Sequence, residues 1–175
     1  MKRSKLLSAL LAAAIALALL AGSIALPIVC RPFYYAHIGA LHLEERTGLS
    51  RAEIRTAYDE MLDYCLGAPE FSTGVLKWSE SGKSHFTDVR GLFLLDLRLF
   101  FAAAAAILFL IVLARLYRRS FSPLLGRGPC FWAGAGLGGA FLIVGGLAAL
   151  DFDRAFVVFH TLFFPGKDNW LFDPD

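Results

Sequence analysis

Histidine is the side chain whose ordinary pKa lies near neutrality, and this chain has four. Two of them sit in settings where proton transfer is worth weighing. His85 lies in "SGKSHFTDV", with Asp88 three residues on, and His160 lies in "AFVVFHTLFFPGKDNW", among phenylalanines just past a membrane-length apolar run. A lone histidine beside aromatics is ordinarily a packed residue with a satisfied ring nitrogen. Two such rings at a partly dry surface can instead take a proton from a nucleophile and return it to a leaving group. Asp88 can orient the ring of His85. It can equally cap a helix, since a carboxylate in a first helical turn is favourable against the dipole. His37 and His42, in "YYAHIGALHLEE", have no comparable setting and read as structural or surface residues.

The elements that must position these residues are those of a membrane protein. Of 175 residues, 57% are hydrophobic and only 18% charged, more apolar than one soluble core requires. Three apolar runs of spanning length stand out: residues 6–29, 92–114 and 129–150. The first follows Lys2, Arg3 and Lys5 and must be weighed as a signal peptide, but its apolar core is too long for one; "AGS" at 21–23 only weakly resembles a cleavage site. The expected fold is an all-α helical bundle, one integral membrane domain over 1–175 with three transmembrane helices and a small extracytoplasmic layer.

Basic residues near span ends set the expected orientation. Lys2, Arg3 and Lys5 precede the first span, and Arg115, Arg118, Arg119 and Arg127 fill the connection 115–128; neither segment holds an acidic residue. Both are expected in the cytoplasm, which puts the loop 31–91 and the segment 151–175 outside, with His85 and His160 on one face. The juxtamembrane basic residues suit anionic lipid headgroups, and nothing suggests nucleic acid.

Within the outer loop, "LSRAEIRTAYDEMLDYCLG" reads as a helix over 50–66: Ser50 and Glu53 form a capping box, Leu49 can staple onto Ile54 or Ala57, and Gly67 closes it. "GVLKWSESGKSHFTDV" reads as a hairpin turning at "SESG", which would place Asp88 at the start of the second span's helix. After the third span, Phe152, Phe156, Phe159 and Phe163 form one helical stripe of an interfacial helix, with His160 on the adjoining row. "PGKDNWLFDPD" breaks that helix and adds Trp170, an interface-loving aromatic. Gly134, Gly136, Gly138, Gly139, Gly145 and Gly146 are expected in close helix–helix packing. Cys30, Cys65 and Cys130 show no metal spacing, and a Cys30–Cys65 disulfide is only a minor alternative.

Taken together, "RPFYYAHIGALHLEERTGLSRAEIRTAYDEMLDYC", "SGKSHFTDVRGLF" and "DFDRAFVVFHTLFFPGKDNWLFDP" resemble the lipoprotein intramolecular transacylase family of bacterial integral membrane proteins. The resemblance covers nearly the whole chain. It implies an acyltransferase moving the sn-2 acyl chain of a diacylglyceryl-modified lipoprotein onto the α-amino group of its own N-terminal cysteine, at the outer face of the cell membrane. Its partners would be diacylglyceryl-modified lipoproteins and membrane lipids. It implies His85 and His160 as the catalytic pair, no cofactor and no metal. His160 is then the base and His85 the group that polarises the ester, roles that can be exchanged, with Asp88 in support. The family pattern also implies a fourth span beyond Asp175.

Two other readings compete. A metal-dependent membrane hydrolase would use His85, Asp88 and His160 as ligands, without an HxxxH or HExxH spacing to bring them together. A non-enzymatic polytopic protein, a transporter subunit or lipid-binding partner, would leave both histidines structural; Asp96 and Arg98 near one span end offer little for transport.

Overall fold

The computed structural model describes residues 2–170. In chain order these form strand β1 (Lys2–Ser4), helices α1 (Lys5–Val29), α2 (Arg31–Ala40), α3 (Leu43–Thr47), α4 (Arg51–Cys65) and α5 (Glu80–Leu116), strand β2 (Arg119–Phe121), and helices α6 (Pro129–Leu150) and α7 (Phe152–Phe163). Three helices, α1, α5 and α6, are long and apolar enough to cross a membrane. At 1.5 Å per residue the 37-residue α5 is about 55 Å long, against a hydrocarbon core of about 30 Å. Its polar first turns, Glu80 to Gly91, therefore extend beyond its apolar part.

The described residues divide into two compact units. One contains residues up to Ser23 together with Leu97–Phe159. Small residues make its tightest packing: Ser8, Ala21, Ala103, Ala114 and Ala133 are all buried, as expected where apolar helices associate through close backbone approach rather than through exclusion of water. A methyl group added at Gly22 would meet the Phe100 ring at 3.1 Å. β1 and β2 pair in parallel, Arg3 opposite Ser120, so the N-terminus and the 115–128 connection lie together. The Trp132 indole donates to the Leu124 carbonyl at 2.6 Å and fixes the end of that connection.

The glycines of α6 do not make the expected close packing. A methyl group added at Gly134, Gly136, Gly138, Gly139, Gly145 or Gly146 would meet nothing within 4 Å. Small residues permit close approach without supplying a neighbour, and within the described residues nothing lies against these glycines. Phe141, Leu142, Ile143 and Val144 are likewise exposed, an apolar surface of the kind lipid tolerates.

The other unit contains Ile24–Asp96 and the described residues from His160 onward. Its organising element is α4. The Ser50 hydroxyl accepts from the Glu53 N–H at 3.3 Å, and the Glu53 carboxylate accepts from the Ser50 N–H at 2.8 Å, the expected capping box. Ile54, Ala57, Leu62, Tyr64 and Cys65 are buried. Tyr34 of α2 stacks on Tyr58 at 3.8 Å between ring centroids, and Arg31 pairs with Asp59 at 3.1 Å and with Asp63. The Tyr64 hydroxyl meets Thr87 of α5 at 2.8 Å. Arg90 of α5 donates to the carbonyls of Ala68 and Gly67 at 2.8 and 3.0 Å, holding the chain that leaves α4.

The expected hairpin over 74–89 is absent; α5 starts at Glu80. The Ser79 hydroxyl accepts from the Gly82 N–H at 3.0 Å, and the Ser79 carbonyl accepts from Lys83. Serine and glycine suit a tight turn and a helix start equally well, and here the helix start wins because Ser79 satisfies the free N–H groups of the first turn. Asp88 consequently lies well inside α5 and is not its cap. The three cysteines are free, so no Cys30–Cys65 bridge forms.

Candidate active site

His85 stands in the second turn of α5 and His160 near the end of α7, and both belong to the second unit. Their ring centroids are 6.3 Å apart, at an interplanar angle of 33°. The buried Phe164 touches both, at 5.1 Å from the His85 ring and 5.8 Å from the His160 ring. Trp170 stacks on the other ring of the pair, His160, at 4.5 Å. Two imidazoles are thus fixed in one aromatic cradle by segments far apart in sequence.

The segment after α7 makes this geometry. Phe164 N–H donates to the His160 carbonyl at 2.7 Å, Gly166 takes a left-handed φ of +73°, and the Lys167 N–H reaches back to Phe164 at 3.2 Å. Pro165 and Gly166 therefore end the helix in a turn rather than letting it run on. The chain comes back along α5, where the Lys167 ammonium meets Asp88 at 2.5 Å and the Asn169 amide donates to Asp88 at 3.1 Å and to Ser84 at 3.3 Å. The Trp170 indole closes the turn by donating to the Lys167 carbonyl at 2.9 Å.

Asp88 is accordingly a clamp, and its carboxylate is engaged by Lys167 and Asn169. Burial alone would raise its pKa; hydrogen bonds from Lys167 and Asn169 and the nearby positive charge outweigh that and hold it below the usual carboxylate range. For His85 burial is the largest influence, and with the neighbouring His160 it pushes the ring below its ordinary value, against the opposing pull of Asp88 and Asn169. The lowering favours the neutral ring, the form able to accept a proton.

Of the residues singled out from the sequence, His85, His160 and Asp88 come together. His37 and His42 lie apart from them: the His37 ring bonds the Phe33 carbonyl at 2.6 Å, and the exposed His42 faces Glu45 at 3.6 Å. Lys167 and Asn169 had no assigned role. The signal for them was the helix-breaking "PG" directly before "KDN", which turns a polar tripeptide back toward the helix just left. Among the described residues no three His, Cys, Asp or Glu side chains lie together in a way that could hold a metal ion.

Beside the site an apolar groove of about 220 Å³ runs between α4 and α5, lined by Ile28, Tyr58, Met61, Phe86, Val89 and Phe93 among others. Phe86 forms both part of its wall and a ring neighbour of His85, at 6.0 Å.

The family described as lipoprotein intramolecular transacylase Lit matches residues 9–175. The in meso structure of the membrane integral lipoprotein intramolecular transacylase from Bacillus cereus is similar in fold, with a TM-score of 0.77 at 23% identity over 97% of this chain and 76% of that one. Two structures of the same protein with a histidine replaced, one by arginine and one by alanine, each give a TM-score of 0.73 at 23% and 22% identity, over 97% of this chain and 73% and 74% of theirs. No curated protein matches the sequence. With the three membrane-length helices and the family match over nearly its whole length, the chain belongs to the lipoprotein intramolecular transacylases.

Proposed function

We propose that His85 and His160 are the acid–base pair of an intramolecular acyl transfer in which no cofactor takes part. The observation that carries this is the pair itself, two rings 6.3 Å apart with an apolar groove alongside. The α-amino nitrogen of the lipoprotein's N-terminal cysteine attacks the carbonyl carbon of the sn-2 ester. One imidazole takes the amine proton, and the other donates to the oxygen that becomes negative. Collapse of the tetrahedral intermediate breaks the carbon–oxygen bond, and the proton passes to the glyceryl oxygen. The products are an N-acyl amide and a free sn-2 hydroxyl.

An unperturbed α-amine has a pKa of about 7.7–8.0, within reach of an imidazole base. Because ester and amine belong to one lipopeptide, holding it bent supplies the proximity term, worth about 7–11 kcal/mol in ideal cases. The groove beside Phe86 is suited to a segment of the acyl chain, and Lys167 and Asp88 keep the cradle closed. The substrates are diacylglyceryl-modified lipoproteins, and the surrounding partners are membrane lipids.

The site faces the extracytoplasmic side. The pairing of β1 with β2 supports this: it gathers Arg3 and Lys5 with the arginines of 115–128 at one end, and such a basic cluster belongs in the cytoplasm among anionic headgroups. To test the activity, the chain is expressed in a bacterium lacking N-acylation of lipoproteins, and a reporter's N-terminal peptide is read by tandem mass spectrometry. An N-acyl, monoacylglyceryl cysteine is expected with the unmodified chain and not with His160→Ala.

A further inference from the structure

We propose that the connection 115–128, with the N-terminal strand laid beside it, is a binding site for the headgroups of anionic phospholipids, held by arginines and anchored by one exposed leucine at its tip. It deepens the reading of membrane lipids as partners and uses none of the histidine site.

The site is built from cations without counter-charges. Arg115, Arg118, Arg119 and Arg127 are exposed, and the parallel pairing of β1 with β2 puts the exposed Arg3 opposite Ser120, next to Arg119, with Lys5 two residues on. Among the described residues none of these six is in an ion pair, whereas Arg31, Arg51 and Lys167 each meet a carboxylate. No carboxylate of the same compact unit can reach them. Its acidic residues are Asp151 and Asp153, separated from the connection by the 22 residues of α6, about 33 Å of helix. Like charges are thus gathered by two paired strands of three residues each, a pairing too short to be stable by itself. A phosphate among them offsets the repulsion and accepts charge-assisted hydrogen bonds from the guanidinium groups.

The second observation is Leu125. Leu124 and Arg127 exchange both backbone hydrogen bonds, at 2.8 and 3.0 Å, across a two-residue turn in which Leu125 and Gly126 have φ of +48° and +78°. Asparagine or glycine suits the first position of such a turn, and leucine is strained there. Leu125 is also 90% exposed, with Leu116 and Tyr117 beside the arginines at 74% and 70%. A side chain so exposed gives the fold almost no burial in return for its strain. Between two membrane-length helices, α5 and α6, the apolar medium within its reach is lipid. Arg127, two residues on, lies over the Phe131 ring at 5.2 Å, which keeps a cation beside the apolar tip. That combination suits a phosphate carried on acyl chains rather than one free in water.

The test uses the full chain purified in a neutral detergent, read by thermal midpoint and by native mass spectrometry. Phosphatidylglycerol is expected to raise the midpoint by several degrees and to stay bound in the mass spectrum, and phosphatidylcholine to do neither. In the unmodified chain, phosphatidylglycerol is also expected to slow hydrogen exchange over 117–128. Replacing Arg118→Gln together with Arg119→Gln is expected to weaken retention of phosphatidylglycerol about 10-fold or more, with the midpoint in phosphatidylcholine unchanged. Leu125→Gly is expected to raise the midpoint in phosphatidylcholine, because glycine takes the left-handed conformation freely, and to lower retention of phosphatidylglycerol. Equal retention of the two lipids, or no slowing of exchange over 117–128, overturns the inference. So does an equal midpoint shift from inorganic phosphate or from a single-stranded oligonucleotide, since the site would then read charge without lipid. Neither readout involves acyl transfer, so this inference and the histidine-pair reading fail separately.

Discussion

The chemistry of this protein rests on a few side chains whose neighbours decide what they can do. His85→Ala and His160→Ala are each expected to lower transacylation by about 10²–10⁴-fold with the thermal transition little changed, measured as the fraction of N-acylated reporter peptide over time. A base must be neutral to act, and His85 is pushed below its ordinary pKa by burial and by His160. With His85 as the base of the pair, the acid limb of the rate is expected below about pH 6.5; a rate already halved well above that value would contradict that role. Cys65 shows the same logic applied to a group outside the histidine pair. Burial pushes its thiol up to about 11, with Arg90 only partly opposing. The thiolate is the reactive form, so maleimide at pH 7 is expected to label the exposed Cys130 and leave Cys65 untouched until the chain is denatured, as peptide mass spectrometry would read.

At the scale of elements, the clamp between the end of α7 and α5 is what converts two distant histidines into a pair. Asp88→Asn and Lys167→Ala are each expected to loosen residues 164–170, seen as faster hydrogen exchange there, and to lower activity without touching either ring directly. The folded Asp88 has a depressed pKa, so its contribution is present above the ordinary carboxylate value and is lost as pH falls through the lower, folded value. Exchange in 164–170 is expected to accelerate on acidification in the parent chain and to be flat with pH in Asp88→Asn, after correction for intrinsic rates. The α4 helix was legible from Ser50 and Glu53 because a capping box is local: both partners sit within one turn. The start of α5 was not legible, because "SESG" suits a hairpin and a helix start alike, and the deciding packing comes from Tyr64 and Arg90, contacts more than twenty residues away. Asp88 was singled out, but the residues that engage it lie eighty residues on, where no local spacing reports them.

Across the whole molecule, hydropathy was sufficient to find three membrane-length helices, since a bilayer demands long apolar runs with internally satisfied backbones. Small residues were a weaker guide. Alanines at 21, 103, 114 and 133 form the buried contacts, whereas the glycines of α6 face open space within the described residues, because spacing marks a surface that permits close approach without naming its neighbour. The expected orientation is testable in a background without native cysteines. A cysteine placed at Ser122 should react with an impermeant maleimide only after the cytoplasmic side is opened, and one at Glu70 in intact spheroplasts. The reverse pattern would put the histidine pair on the wrong face for its substrate.

The most direct measurement is tandem mass spectrometry of one reporter lipoprotein's N-terminal peptide, from cells unable to N-acylate lipoproteins by other means, with the parent chain beside His85→Ala at equal expression. The expected result is an N-acyl, monoacylglyceryl cysteine with the parent chain and an unchanged diacylglyceryl cysteine bearing a free amine with the variant. N-acylation persisting undiminished in His85→Ala would contradict the histidine pair as the catalytic centre.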